Sequence, residues 1–175
     1  MAHPTNTRST SSRRGGRSNA LDPARAGADE LARAIAAGQQ SSTAVTEALL
    51  ERIAEHNPAL NCVVSPVQNS DGAADARSTA AERDAESQRG QSRGPLHGVP
   101  VLLKDSWATR GLRTTNGFSG TADYVPDFDA TIVARLNAAG AVVLGKTNLS
   151  QLAMDVQSDN PVHGRSHHPY APTRT

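Results

Sequence analysis

The sequence predicts an α/β fold in which a mixed, mainly parallel sheet is covered by helices and preceded by a helical hairpin. Two successive segments carry apolar residues at helical spacing, Leu31, Ala34 and Ile35, then Val45, Leu49 and Ile53. Short runs rich in valine and leucine follow at residues 99–103 and 141–144. The second run comes directly after a helix-patterned stretch, the alternation that lays strands parallel under helices.

Taken in order, residues 1–21 are rich in Ser, Thr, Arg and Gly and have almost no large apolar side chains, so a disordered tail is expected there. Residues 22–175 form the folded part. Gly38 offers a left-handed stop to the first helix, and Ser41, Ser42 and Thr43 offer N-caps to the second. That helix is expected to end near Asn57-Pro58, because the residue before proline is pushed out of the helical region. Residues 60–64 read as a short buried strand. Residues 71–88 mix alanine with charged residues and predict a surface helix packing through Ala73, Ala76 and Ala80. The glycines and prolines of residues 90–100 set a turn before the strand that ends at Lys104. Asp129 is placed to cap a helix carrying Ile132, Leu136 and Ala139, and Gly140 to close it.

Bulk properties narrow the function. The hydrophobic share is 37% and the aromatic share 3%, which leaves little surface for stacking nucleic-acid bases. A formal net charge of +1 gives no field to draw the molecule toward nucleic acid or an anionic membrane. Direct nucleic-acid binding is therefore not expected. Arg8, Arg13, Arg14 and Arg17 read as part of a solubilising tail, and no apolar segment follows Arg13-Arg14 to make an export signal. No transmembrane span is visible. The single cysteine, Cys62, cannot form an internal disulfide and reads as a buried thiol, consistent with a reducing cytoplasm.

Several motifs have plain structural alternatives. Gly140 to Thr147 matches the phosphate-loop pattern letter by letter, but a helix precedes Gly140 and a β-branched run fills the interval, the reverse of the order phosphate binding requires. His163, His167 and His168 lack the companions of a zinc site and read as solvated loop histidines, so no metal is expected. Alternation places Val99, Val101 and Leu103 on one face of their strand and Lys104 on the other, where its ammonium could be partly desolvated.

Gly94-Pro-Leu-His-Gly-Val-Pro-Val-Leu-Leu-Lys-Asp105 closely resembles the segment around the catalytic lysine of the amidase signature family. The likeness continues through residues 111–115, 129–148 and 160–164, and more loosely over the hairpin and residues 57–61. It identifies residues 22–175 as the N-terminal portion of an amidase domain. The resemblance implies a Ser-cisSer-Lys triad that cleaves amides through an acyl-enzyme, with Lys104 as a neutral amine relaying protons through the cis-serine to the nucleophile. It implies a small-molecule amide substrate and no cofactor.

By the same carry-over Ala153 and Met154 border the substrate; their structural alternative is a helix that packs on the sheet through Leu149, Leu152 and Ala153. Asn148 is expected to cap that helix, and Gly145 to permit close backbone packing. The 175 residues contain no Gly-Gly-Ser-Ser-Gly-Gly stretch, so both triad serines are absent, and Ser106, Ser150 and Ser158 do not stand in for them. An incomplete, inactive amidase fragment, truncated before that loop, is the resulting expectation. The alternatives are the amidase subunit of a tRNA-dependent glutamine amidotransferase and a non-catalytic remnant that binds a partner through an open sheet edge.

Overall fold

The computed structural model describes residues 21–67, 75–171, 173 and 174. The predicted tail, apart from Leu21, and Ala73 lie outside the described residues. The first helix, α1 (Ala28–Ala36), buries Leu31, Ala34 and Ile35. The Glu30 carboxylate accepts the Gly27 N–H at 2.8 Å and so satisfies one free donor of the first turn. Gly38, at φ +66°, turns the chain toward α2 (Ser42–Leu60). Ser41 Oγ caps α2 by accepting the Ala44 N–H, and Asp84 accepts the N–H groups of Ser42 and Thr43 at 2.7 and 3.0 Å.

α2 does not stop at Asn57. It runs through Pro58 and closes at Asn61, whose φ is 49° and whose N–H donates to the Asn57 carbonyl. The Asn57 side chain explains the extension: Oδ1 accepts the N–H groups of Cys62 and Val63, and Nδ2 donates to the Val63 carbonyl. These bonds satisfy the chain leaving the helix and offset the one lost at proline. Strand β1 (Val63–Pro66) consequently starts later than expected, and Cys62 sits exposed at the junction instead of buried.

α3 (Ala76–Gln88) buries Ala76 and Ala80 against Leu50, Val142 and Leu144, where their lack of bulk lets the helix approach closely. It also buries Arg83, which pairs with Glu86 at 2.5 Å. The Arg93 guanidinium, 2.6 Å away on the other side, holds the Glu86 carboxyl down to about 2.

The sheet has the order β1-β3-β2. β2 (Pro100–Lys104) runs parallel to β3 (Val142–Thr147), and β1 runs antiparallel to β3, so the sheet is mixed, with one ladder of each kind. The crossover between the parallel strands contains α4 (Thr131–Ala138). Asp129 does not cap α4. Its carboxylate accepts the Arg110 N–H at 2.7 Å and the Asn137 amide at 3.1 Å, which leaves Ala130 at the cap and turns Val133 inward while Ile132 is 40% exposed. Gly140, at φ +90°, closes the helix; a β-carbon there would lie 2.8 Å from His97 Cα.

β3 extends through Gly145, Lys146 and Thr147, with Leu144 bulged against β2. At Gly145 a β-carbon would lie 2.7 Å from the Ser65 carbonyl oxygen, so the glycine admits β1, as its expected packing role required. The residues that spell a phosphate loop are thus a helix end and a strand interior. No helix among the described residues is long and apolar enough to cross a membrane.

Candidate functional site at the carboxyl end of β2

Lys104 is the last residue of β2 and lies opposite Thr147 of β3. Burial follows the predicted alternation: Leu103 is 1% exposed, whereas Leu102 and Lys104 are exposed. The desolvated environment expected for the Lys104 amine is therefore not formed by these residues. β2 is an edge strand in the described sheet, so its outer side faces no other strand.

The next residue is Asp105, fully buried. Its carboxylate accepts the Thr115 N–H at 3.1 Å and the Thr115 hydroxyl at 2.5 Å. His163 Nε2 lies 3.4 Å from the same carboxylate and 3.0 Å from Thr115 Oγ1. Since the single hydroxyl proton goes to Asp105, Nε2 carries the hydrogen that His163 donates. His163 is thus not a solvated loop residue; its side chain is 6% exposed and ties the loop of residues 160–164 to the end of β2. His168 is exposed, and among the described residues no group of His, Cys, Asp and Glu could hold a metal ion.

Backbone bonds extend this network to the other predicted residues. Asn116 donates its N–H to the Asp105 carbonyl, and its own carbonyl accepts the Leu152 N–H at 2.8 Å. Residues 104–105 and the turn bearing Ala153 and Met154 are therefore joined through one hydrogen-bonded loop. That turn is not the expected apolar helix. It is a single 3-10 turn, Gln151–Ala153, with no buried residue; of the predicted face only Leu149, before the turn, is buried, and Leu152, Ala153 and Met154 are exposed, Met154 by 82%.

Leu152 and Ala153 take φ of 53° and 57°, a left-handed conformation costing about 1 kcal/mol per residue with a β-carbon. Ala153→Gly is expected to raise stability by about 1 kcal/mol in urea denaturation, because glycine adopts that conformation freely. Asn148 caps no helix either. Its Nδ2 donates to the Gly164 carbonyl and Ser166 Oγ, and its Oδ1 accepts from Asn160 Nδ2 at 2.7 Å, so it fastens the C-terminal loop to the end of β3. Ser150 is engaged with the Asp155 backbone, accepting its N–H and donating to its carbonyl.

One further group escaped the sequence reading. Lys146 of β3 is completely buried, and its Nζ donates to the Trp107 carbonyl. Burial lowers its amine to about 8, and the attraction of Asp105 and Asp129 only partly opposes the shift.

Comparison with known proteins gives a consistent result. Residues 44–175 match the family model described as Amidase. A glutamyl-tRNA(Gln) amidotransferase subunit from Salinispora tropica is 41% identical over 145 residues, which cover 82% of this chain and 28% of that protein. Its counterpart from Acidothermus cellulolyticus is 40% identical over 141 residues, covering 81% of this chain and 27% of that protein. Among solved structures, the peptide amidase from Stenotrophomonas maltophilia superposes with a TM-score of 0.77 at 36% identity, over 87% of this chain and 31% of that one. Fatty acid amide hydrolase superposes with a TM-score of 0.77 at 28% identity, over 86% of this chain and 26% of that one. The chain thus spans less than a third of the length of these relatives.

Proposed function

The chain belongs to the amidase family, and from that membership we propose that it supplies the lysine-bearing portion of an amide hydrolase. In this reading Lys104 is the proton-relay base of a Ser-cisSer-Lys triad whose serines stand on a glycine- and serine-rich loop not contained in these 175 residues. The observation that carries the reading is the position of Lys104: an unburied amine at the carboxyl end of a parallel strand, followed at once by the buried Asp105 anchor. Ligands of open α/β sheets bind at the carboxyl ends of such strands. Ala153 and Met154, joined to the same loop and exposed, would border the substrate.

The test is a chimera in which residues 22–175 replace the corresponding segment of the Stenotrophomonas maltophilia peptide amidase. Amide hydrolysis by the chimera supports the proposal, and a folded chimera with no turnover counts against it. A second reading is favoured by the 40–41% identity to amidotransferase subunits: the amidase subunit of a tRNA-dependent amidotransferase. It places the same Lys104 chemistry on glutamine and differs in requiring partner subunits and charged tRNA.

A further inference from the structure

Of the protein's 18 basic side chains 16 are arginines, and the only lysines are Lys104 and Lys146. They stand on neighbouring strands, Lys104 opposite Thr147 and Lys146 opposite Leu103. A fully buried lysine contributes nothing to solubility, and burying its charge opposes folding. Arginine would not serve in its place: a guanidinium is larger, carries five donors and stays charged.

Its amine donates to the Trp107 carbonyl, and the Trp107 N–H donates to the Lys104 carbonyl at 3.1 Å. The two bonds brace the turn of residues 104–107 from within the sheet. Asp105, within that turn, and Asp129, before α4, are the acidic groups facing the amine, and His163 lies against Asp105. Trp107 itself is 39% exposed, so the residue reaches the surface while its carbonyl is held from inside.

We propose that Lys146 is a positioning residue for Lys104: its buried amine holds the Trp107 carbonyl and so fixes the turn that sets how the Lys104 side chain leaves β2. The inference rests on the reading of Lys104 as the base, but its test does not depend on turnover. Trp107 is the only tryptophan, so its emission reports on this turn, and lysine labelled with carbon-13 gives one ε-CH2 signal from each of two residues.

Lys146→Met keeps an unbranched chain that ends one atom short of the amine, and so removes the donor. It is expected to leave the circular dichroism of the chain unchanged and its thermal midpoint at neutral pH no lower. The Trp107 emission should shift to the red and the Lys104 ε-CH2 signal should move or broaden. Val142→Ala, which removes core volume from the same strand, should lower the midpoint and leave both signals in place. Unfolding of Lys146→Met, or unmoved Trp107 and Lys104 signals in the folded variant, would overturn the proposal. Either result leaves the Lys104 assignment to be decided by hydrolysis in the chimera.

Discussion

Lys146→Met is expected to stabilise the folded chain by about 1–2 kcal/mol at neutral pH and to lose that advantage as the solution is made alkaline. Burial lowers the Lys146 amine from 10.5 to about 8. Below about 8 the amine is protonated in both the folded and unfolded states, so the full cost of the buried charge falls on the folded state. As pH rises from about 8 toward 10.5 the folded protein releases its proton first, the unfolded chain binds more protons, and stability rises with pH.

The whole effect is on the order of 3 kcal/mol. Methionine removes the charge cost but leaves the Trp107 carbonyl without its donor, a loss of about 1 kcal/mol. The balance favours methionine while the lysine is charged and turns against it once the lysine is neutral. Urea denaturation at neutral and alkaline pH checks this. An unmutated chain whose stability is flat from about pH 8 to 10.5 would show that Lys146 does not titrate as its burial requires.

The second large effect concerns Lys104. In the chimera with the peptide amidase, Lys104→Ala is expected to lower kcat for amide hydrolysis by about 10²–10⁴-fold, the usual contribution of a general base. The fold should be unaffected, because Lys104 is exposed in this chain and packs in neither of its hydrophobic clusters. A base that acts only on the reacting proton lowers kcat and kcat/KM together, which steady-state kinetics resolves.

The parts of this structure that were legible in the sequence are those fixed by local pattern. Leu31, Ala34 and Ile35 gave α1 by spacing, Gly38 and Ser41 gave the turn and the cap, and the apolar runs gave β2 and β3. The misread parts were decided by hydrogen bonds that spacing and propensity do not reveal. Pro58 marks a helix end locally, but the Asn57 side chain carries α2 two residues past the proline, to Leu60, and thereby exposes Cys62. Asp129 has the chemistry of a cap, yet Arg110 and Asn137 claim its carboxylate. The apolar residues after Asn148 suggest a helix, but the tie from Leu152 to Asn116 draws them into a strained turn.

The site divides in the same way. Lys104 and Asp105 stand out because a family motif surrounds them, and Lys104 faces outward as strand alternation demands. Asp105 acquires its meaning only from Thr115 and His163, ten and fifty-eight residues downstream, which no periodicity connects to it. Lys146 was hidden for another reason. Its letters belong to a phosphate-loop pattern, and setting that pattern aside left no local sign that a charged side chain lies wholly inside the sheet. The scarcity of lysine beside 16 arginines was the one sequence signal that could have marked it.

The most direct measurement of the central claim is kcat/KM for amide hydrolysis by the chimera, with Lys104 intact and as Lys104→Ala. If Lys104 is the base, the intact chimera turns over amide and the folded variant loses about 10²–10⁴-fold in kcat/KM. An undiminished rate in Lys104→Ala would contradict the account.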